Sequence, residues 1–451
     1  MACTRTVFLR LSCSVRDKWS PKALGCQVAW FSSSPAREQQ EKKYDIVIVG
    51  GGCAGSAIAN KFAPYLGQGK VAVVEPHETH YDQPMFTLVG AGIKDHKQTH
   101  TQTKDVLPDE CDWIKDKVTS FDPNNNSVTT AGGDKLKYDY LLVSMGLQLN
   151  YHSVKGLEEA LKEDPAVCSN YHWQHVKKTH PAIENIQSGN AIFTFPNTPV
   201  KCAGAPQKIC YLAENNFSKA GKRDRINVMY NTSLPVIFGI PRYAAPLEEI
   251  CKNRNITVNK RHNLVEVDHK NNRAVFQLLD TPTENVSFEY SMLHVSPPMS
   301  SPKELWGSSL VDETNFVTVN RDTLQHTKYP NVFGMGDCTN APTAKTAAAI
   351  SAQVGVVNKN LSLVMDGKQP TRKYDGYTSC PLLVGNHKVI MAEFGYDGSI
   401  LETFPINQAK AMRSMYFMKV HFMPQLYWQM LVKGLWHGPG FFRKLFRFGV
   451  A

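Results

Sequence analysis

The sequence predicts an α/β protein. Two Rossmann-like three-layer domains of the dinucleotide-binding type are followed by a C-terminal amphipathic helical segment suited to anchoring on a membrane. Three observations carry this reading. The β-branched run Tyr44-Asp-Ile-Val-Ile-Val49 leads through Gly50-Gly-Gly-Cys-Ala-Gly55 into a helical stretch, and Val71–Val74 follows as a second strand. Strand-like runs return at 190–195 and 226–230, as a second unit would require. From about residue 403 the chain turns basic and aromatic, with no acid at all.

The 451 residues allow about three domains at roughly 150 residues each. With 42% hydrophobic and 20% charged residues, the bulk of the chain is globular in composition rather than disordered or collagen-like. The 11 cysteines are scattered, with no CxxC, which excludes a small secreted disulfide scaffold and a zinc site built on that spacing. The formal charge of +10 is concentrated early. Arg5, Arg10, Arg16, Lys18, Lys22 and Arg37 stand against Asp17 in a Ser-rich stretch. Residues 1–40 therefore read as a mitochondrial transit peptide. Once it is set aside, the basic balance gives little reason to expect a nucleic-acid partner.

The remaining elements follow in order. A further strand, Tyr138–Ser144, ends at Met145-Gly146. The polar stretch 256–285 carries short alternating runs that suggest hairpins. Leu293–Ser296 and Val332–Gly334 return to buried-strand character, and Thr346–Gln353 is a helix. The expected division is 41–155 with 291–365 as a discontinuous FAD-binding domain, 156–290 as a second Rossmann-like domain, and 366–451 as a C-terminal segment.

Gly50, Gly52 and Gly55 fit GxGxxG. In that motif the first glycine makes a tight turn, the second admits a pyrophosphate, and the third packs the helix closely. Glu75, at the end of the next strand, stands where an acid binds a ribose hydroxyl. Far downstream, Gly334-Met-Gly-Asp337 closes a strand with a turn and an acid. Two-dinucleotide-domain flavoproteins place an aspartate there on the ribityl chain of FAD, and Ser144-Met-Gly146 resembles their third motif. Three motifs in this order favour FAD over NAD. Lys345 lies between the Asp337 turn and the Thr346 helix, where a cation would stabilise reduced flavin; a solvated surface lysine is the plainer alternative.

The second unit lacks a fingerprint. After Phe193-Thr-Phe195 the chain continues Pro196-Asn-Thr-Pro-Val-Lys-Cys-Ala-Gly-Ala-Pro206, with no glycine where a pyrophosphate would need close approach. A nicotinamide donor is disfavoured. Cys202 sits on this loop, and Cys380 follows in Tyr374-Asp-Gly-Tyr-Thr-Ser-Cys-Pro-Leu382. Isolated cysteines are commonly structural, but two of them beside a flavin suit sulfur chemistry, with Lys201 and Lys208 near enough to Cys202 in sequence to favour a thiolate.

At these segments, together with Gln83-Pro-Met-Phe-Thr-Leu-Val-Gly-Ala-Gly92, Gly336-Asp-Cys-Thr-Asn340 and Lys373–Pro381, the chain resembles the mitochondrial sulfide:quinone oxidoreductases, a branch of the two-dinucleotide-domain flavoproteins. The resemblance runs from about Tyr44 to Ala451. It implies that hydrogen sulfide attacks a Cys202–Cys380 disulfide or trisulfide, that a persulfide forms on Cys380, and that Cys202 becomes a thiolate against FAD. Two electrons then pass to ubiquinone, and the sulfane sulfur leaves to a small acceptor such as glutathione or sulfite. The positions matching the family's FAD contacts are Cys53, Ala54, Glu75, Gln83, Val118, Asp337 and Lys345, beside Gly336 of the Asp337 turn. The glycine loop departs from similar enzymes, which often have Ser-Gly where this chain has Cys53-Ala54. No third redox cysteine is matched; Cys111, Cys168, Cys210, Cys251 and Cys338 read as structural.

The tail from 403 carries Lys410, Arg413, Lys419, Lys433, Arg443, Lys444 and Arg447 among dense aromatics. Pro424 and Gly438-Pro-Gly440 are expected to break it into helices too short to span a bilayer. Such a segment suits the lipid interface of an anionic membrane, here the matrix side of the mitochondrial inner membrane, where it would also frame the quinone entrance. The runner-up is a type II NADH:quinone oxidoreductase, against which the missing second fingerprint argues. A thioredoxin-reductase-like enzyme lacks its CxxC, and a catalytically dead flavoprotein scaffold is at odds with the intact motifs.

Overall fold

A computed structural model describes residues 41–446. The predicted transit peptide, and Arg447 and Phe448 of the tail, lie outside the described residues.

The first sheet is built around Glu41–Val49. This strand pairs in parallel with Val71–Val74 on one side and Lys135–Val143 on the other. Cys111–Ile114 extends the sheet beyond Val71–Val74, and Val332–Gly334 joins Lys135–Val143, all parallel. Ser127–Thr130 and Val118–Asp122 close the far edge in antiparallel fashion. The apolar run Ile46–Val49 is buried throughout, as expected of a parallel strand covered on both faces. Helix Cys53–Leu66 covers it and packs on the long helix Ala347–Met365, which Thr346 caps through its hydroxyl. Alanine and small residues along the first helix permit that close approach.

The second sheet has five parallel strands in the order Val167–Cys168, Met292–His294, Gly189–Phe195, Ile226–Thr232 and Thr257–Lys260. Helix Ala205–Lys219 lies on Gly189–Phe195 and Ile226–Thr232. The polar stretch read as hairpins forms a separate three-stranded antiparallel sheet, His262–Asp268, Arg273–Leu278 and Asn285–Glu289.

Beyond the long helix, Thr378–Leu383 and Val389–Phe394 form a β-ribbon. It touches both Ala205–Lys219 and Ala347–Met365, so Cys380 comes to rest where the two sheets' helices meet. The tail corrects one expectation. Pro424 does not break it: helical backbone runs without interruption through Arg413–Phe417, Met418–Phe422, Met423–Leu426 and Tyr427–Leu431, the second and fourth stretches being π-helical. The wider turns shift the hydrogen-bond register and so absorb the missing proline donor. The run ends instead at Gly434 and Gly438, both with positive φ. Among the described residues, no helix is long and apolar enough to cross a membrane.

Two buried histidines set an acid limit on this fold. Burial pushes His294 down to about 3 and His80 to about 4, from an ordinary value near 6.5. Both are neutral when folded and accept protons when unfolded. Their contribution is complete above pH 6.5 and is lost as pH falls toward 4. The melting temperature is therefore expected to be lower at pH 5 than at pH 7.5 in a thermal scan.

Candidate active site

The strand Glu41–Val49 ends at Gly50, whose φ of +99° is open to glycine. A Cβ there would stand 2.6 Å from the Ser144 carbonyl oxygen, and one on Gly55 would collide with the Gly50 carbonyl oxygen. Gly52 faces open space. Helix Cys53–Leu66 begins there with no side-chain cap and no acid in its first turn. Its free N–H groups and positive dipole end look into a cavity of ≈1520 Å3. That exceeds the roughly 300–1,000 Å3 of an ordinary ligand site. Gly50, Gly52, Cys53, Ala54, Glu75, Gln83, Val118, Gly336, Asp337 and Lys345 all line it. The uncapped helix and its bare glycine wall fit the pyrophosphate of FAD.

Glu75 is partly committed already. Its Oε2 accepts from the Gly51 amide at 2.8 Å and its Oε1 from the His77 amide at 2.9 Å and ring at 2.7 Å. Burial pushes its carboxyl up, but these donors outweigh it and hold the carboxyl below its usual range. Asp337 is pushed up by burial against the pull of Lys345 and Lys201. Lys345 is no solvated surface residue. Its ammonium donates to the carbonyl oxygens of Asp337 at 2.6 Å and Thr339 at 3.0 Å, and lies 4.4 Å from the centre of the Phe316 ring.

The loop that replaces a second fingerprint delivers Cys202 to the same cavity. Cys202 and Lys345 both take left-handed φ, +54° and +48°, and the Cys202 amide donates to the Lys345 carbonyl oxygen at 2.9 Å. Two non-glycine residues in this region, tied to one another, mark a strained and over-determined site. Helix Ala205–Lys219 starts just beyond, with Pro206 in its first turn. Cys202 Sγ lies 4.0 Å from Cys380 Sγ and receives the Lys208 ammonium at 3.4 Å. A side chain at Gly204 would occupy the place of the Cys380 sulfur. The Cys380 thiol and Lys208 draw Cys202 well below the usual thiol range despite its burial. The same contact and burial push Cys380 well above it. Of the two neighbouring lysines, Lys208 serves the thiol, whereas Lys201 turns to Gln83 Oε1 at 2.7 Å. Cys111, Cys168, Cys210, Cys251 and Cys338 are free thiols pushed up by burial.

Sequence reasoning missed the inner wall of the cavity that the tail supplies. Lys419 is buried and donates to the Pro84 carbonyl oxygen at 3.2 Å. The Tyr427 hydroxyl meets buried His80 Nε2 at 2.8 Å and donates to the Tyr81 carbonyl oxygen at 3.2 Å. Asn60, in the first helix, donates to the Val432 carbonyl oxygen at 3.1 Å. Basic residues spread among aromatics, with no acid, give no sign of which face turns inward. On the outer side Phe417, Leu435 and Phe441 are 64%, 65% and 71% exposed.

Comparison with known proteins gives the family and the fold. Residues 44–193 match the pyridine nucleotide-disulphide oxidoreductase family. The chain is 48% identical over 407 residues to the mitochondrial sulfide:quinone oxidoreductase of Mus musculus, covering 90% of each. It is 41% identical over 415 residues to that of Dictyostelium discoideum, covering 90% of this chain and 91% of the relative. The solved sulfide:quinone oxidoreductase of Aquifex aeolicus shares the fold, with a TM-score of 0.74 at 20% identity over 91% of this chain and 95% of that one. The chain belongs to the sulfide:quinone oxidoreductase family, FAD-dependent enzymes of the pyridine nucleotide-disulphide oxidoreductase type.

Proposed function

We propose that this protein oxidises hydrogen sulfide at the Cys202/Cys380 pair and passes two electrons by way of FAD to ubiquinone. The sulfane sulfur leaves Cys380 to a small acceptor such as glutathione or sulfite. The observation that carries this reading is the meeting of two cysteines 178 residues apart, 4.0 Å between sulfurs, on the cavity that the glycine turn opens. That gap is wider than the ≈2.05 Å bond of a disulfide and short enough for a small rotation to join the sulfurs directly or through one more sulfur atom. Bound FAD supplies two-electron acceptance from sulfur and donation to a quinone. The chain's residues do the rest. Cys202, kept anionic by Lys208, is the leaving thiolate when sulfide attacks. Cys380, joined to Cys202 until then, keeps the incoming sulfur as a persulfide. Sulfide and the acceptor lose two electrons and two protons between them, and both pairs appear on the quinol.

The residues matching the family's FAD contacts, from Cys53 and Ala54 to Asp337 and Lys345, are assigned to the cofactor on this reading. The tail is assigned to the matrix-side surface of the mitochondrial inner membrane. Phe404, Phe422, Phe442 and Phe446 line the cavity, and Phe417 and Phe441 are exposed, an arrangement that suits a lipophilic quinone passing from bilayer to cavity. The NADH reading finds no support at Cys202, where the second unit's glycines would stand.

Anaerobic titration of the purified protein tests this. Bleaching of the flavin by sulfide, preceded by a long-wavelength band and reversed by a short-chain ubiquinone, is expected. Bleaching by NADH, with no response to sulfide, would overturn it.

A further inference from the structure

Two buried ionisable side chains on the cavity wall, Asp82 and Lys419, have no part in the reaction above. Asp82 precedes the short turn Gln83–Met85 and is 1% exposed. Its side chain lines the cavity, and its Oδ1 finds no hydrogen-bond donor among the described residues. Buried carboxylate oxygens without a donor are rare and costly, and in a cleft they mark a group that works. Lys419 enters the same wall from the π-helical stretch Met418–Phe422, 5% exposed. Burial raises Asp82 to about 7 against the pull of the Lys419 ammonium. Burial likewise lowers Lys419 to about 8, with the Lys208 charge acting in the same direction. Cys53, opening the fingerprint helix, and Tyr427, from the tail, also face the Asp82 charge. Lys208, Cys202 and Cys380 face that of Lys419. Both side chains line the one cavity that Cys53 and Cys202 also line.

We propose that Asp82 and Lys419 form the proton-exchange pair of the sulfur site. Asp82 takes up the proton released when sulfide becomes a persulfide anion, and the Lys419 ammonium compensates the new negative charge. This rests on the sulfide reading above. Hydrosulfide adds to the oxidised cysteine pair: an S–S bond forms on Cys380, the bond to the Cys202 sulfur breaks, and Cys202 leaves as thiolate. The Cys380 persulfide then gives its S–H proton through the cavity to the Asp82 carboxylate. No electron moves in that transfer.

Rapid-mixing measurement of anaerobic flavin reduction by sulfide, across the neutral pH range on the full-length FAD-loaded protein, tests the proposal. The parent is expected to show a limb near neutrality. In Asp82→Asn that limb disappears and the rate at neutral pH falls about 10²-fold, the scale of a lost proton-transfer group. FAD content, and reoxidation of dithionite-reduced protein by a quinone, stay as in the parent. Asp82→Glu restores the limb. In Lys419→Gln the limb moves to higher pH, because the carboxyl loses its stabilising cation. A limb and rate unchanged in Asp82→Asn would overturn the proposal, as would a limb unmoved in Lys419→Gln, which decides the matter if Asp82→Asn comes out without FAD. A parent protein that sulfide does not bleach at any pH would instead overturn the sulfide reading.

Discussion

Cys202→Ser and Cys380→Ser are each expected to cut sulfide-driven flavin reduction by on the order of 10³-fold or more, the scale seen when a nucleophile is removed, with FAD absorbance retained. Neither sulfur is needed to hold the fold. Cys202 is only partly buried, on a loop fixed by its amide hydrogen bond to the Lys345 carbonyl oxygen, and Cys380 lies in a ribbon whose two strands pair in register along their length. A serine hydroxyl in either place offers no sulfur to carry and no thiolate at neutral pH.

The two variants should differ in one respect. Cys202 owes its low thiol range first to the Cys380 thiol and then to Lys208. In Cys380→Ser the Lys208 contact at 3.4 Å remains, so a thiolate and its long-wavelength band should persist. The serine hydroxyl donates in the thiol's place, so the band should still titrate below the range of an ordinary thiol. Cys202→Ser should show no band at any pH. Adding Lys208→Met to Cys380→Ser should push the titration up, since only the more distant Lys419 charge is left. Absorbance against pH checks all three. Sulfide oxidation at the parental rate in either single variant would rule out the paired-cysteine route.

Much of this was legible because its physics is local. Gly50, Gly52 and Gly55 announce a turn in which side chains cannot fit, and the structure shows the collisions that exclude them. The strands Val71–Val74 and Val332–Gly334 have the bounds that their apolar runs suggest. The meeting of Cys202 with Cys380 was legible only through resemblance. Nothing in a separation of 178 residues states that a ribbon will fold back over a helix N-terminus. Asp82, His80 and the inward face of the tail were illegible for the same reason. A lysine among aromatics has the same look whether it snorkels to water or, as Lys419 does, reaches the Pro84 carbonyl. Pro424 misled because breaking a helix assumes an α register on both sides, and here π turns flank it.

Deleting the chain from Ala409 onward is therefore expected to do more than free the enzyme from lipid. Met415, Val420, Tyr427, Leu431 and Val432 are each no more than 5% exposed. At about 1.5–3 kcal/mol for each large apolar side chain buried, their loss is on the order of 10 kcal/mol, comparable with the whole stability of an ordinary domain. The deletion also strips Tyr427 from His80, Val432 from Asn60, and Lys433 from the Asp105 carbonyl at 3.0 Å. The first of these bonds stands on the cavity wall and the others hold the tail to the glycine-turn domain, so the truncated protein should purify without FAD, aggregate, and show a much lower ratio of flavin to protein absorbance. Separating anchor from wall needs substitutions on the outer face alone. Phe417→Ser with Phe441→Ser, both at exposed positions, should keep FAD and sulfide-driven bleaching while weakening flotation with anionic vesicles and slowing reoxidation by a long-chain quinone. A truncated protein that kept its FAD and its melting temperature would show that the tail only leans on the cofactor domain, and the double serine variant would then have to account for the whole of its role.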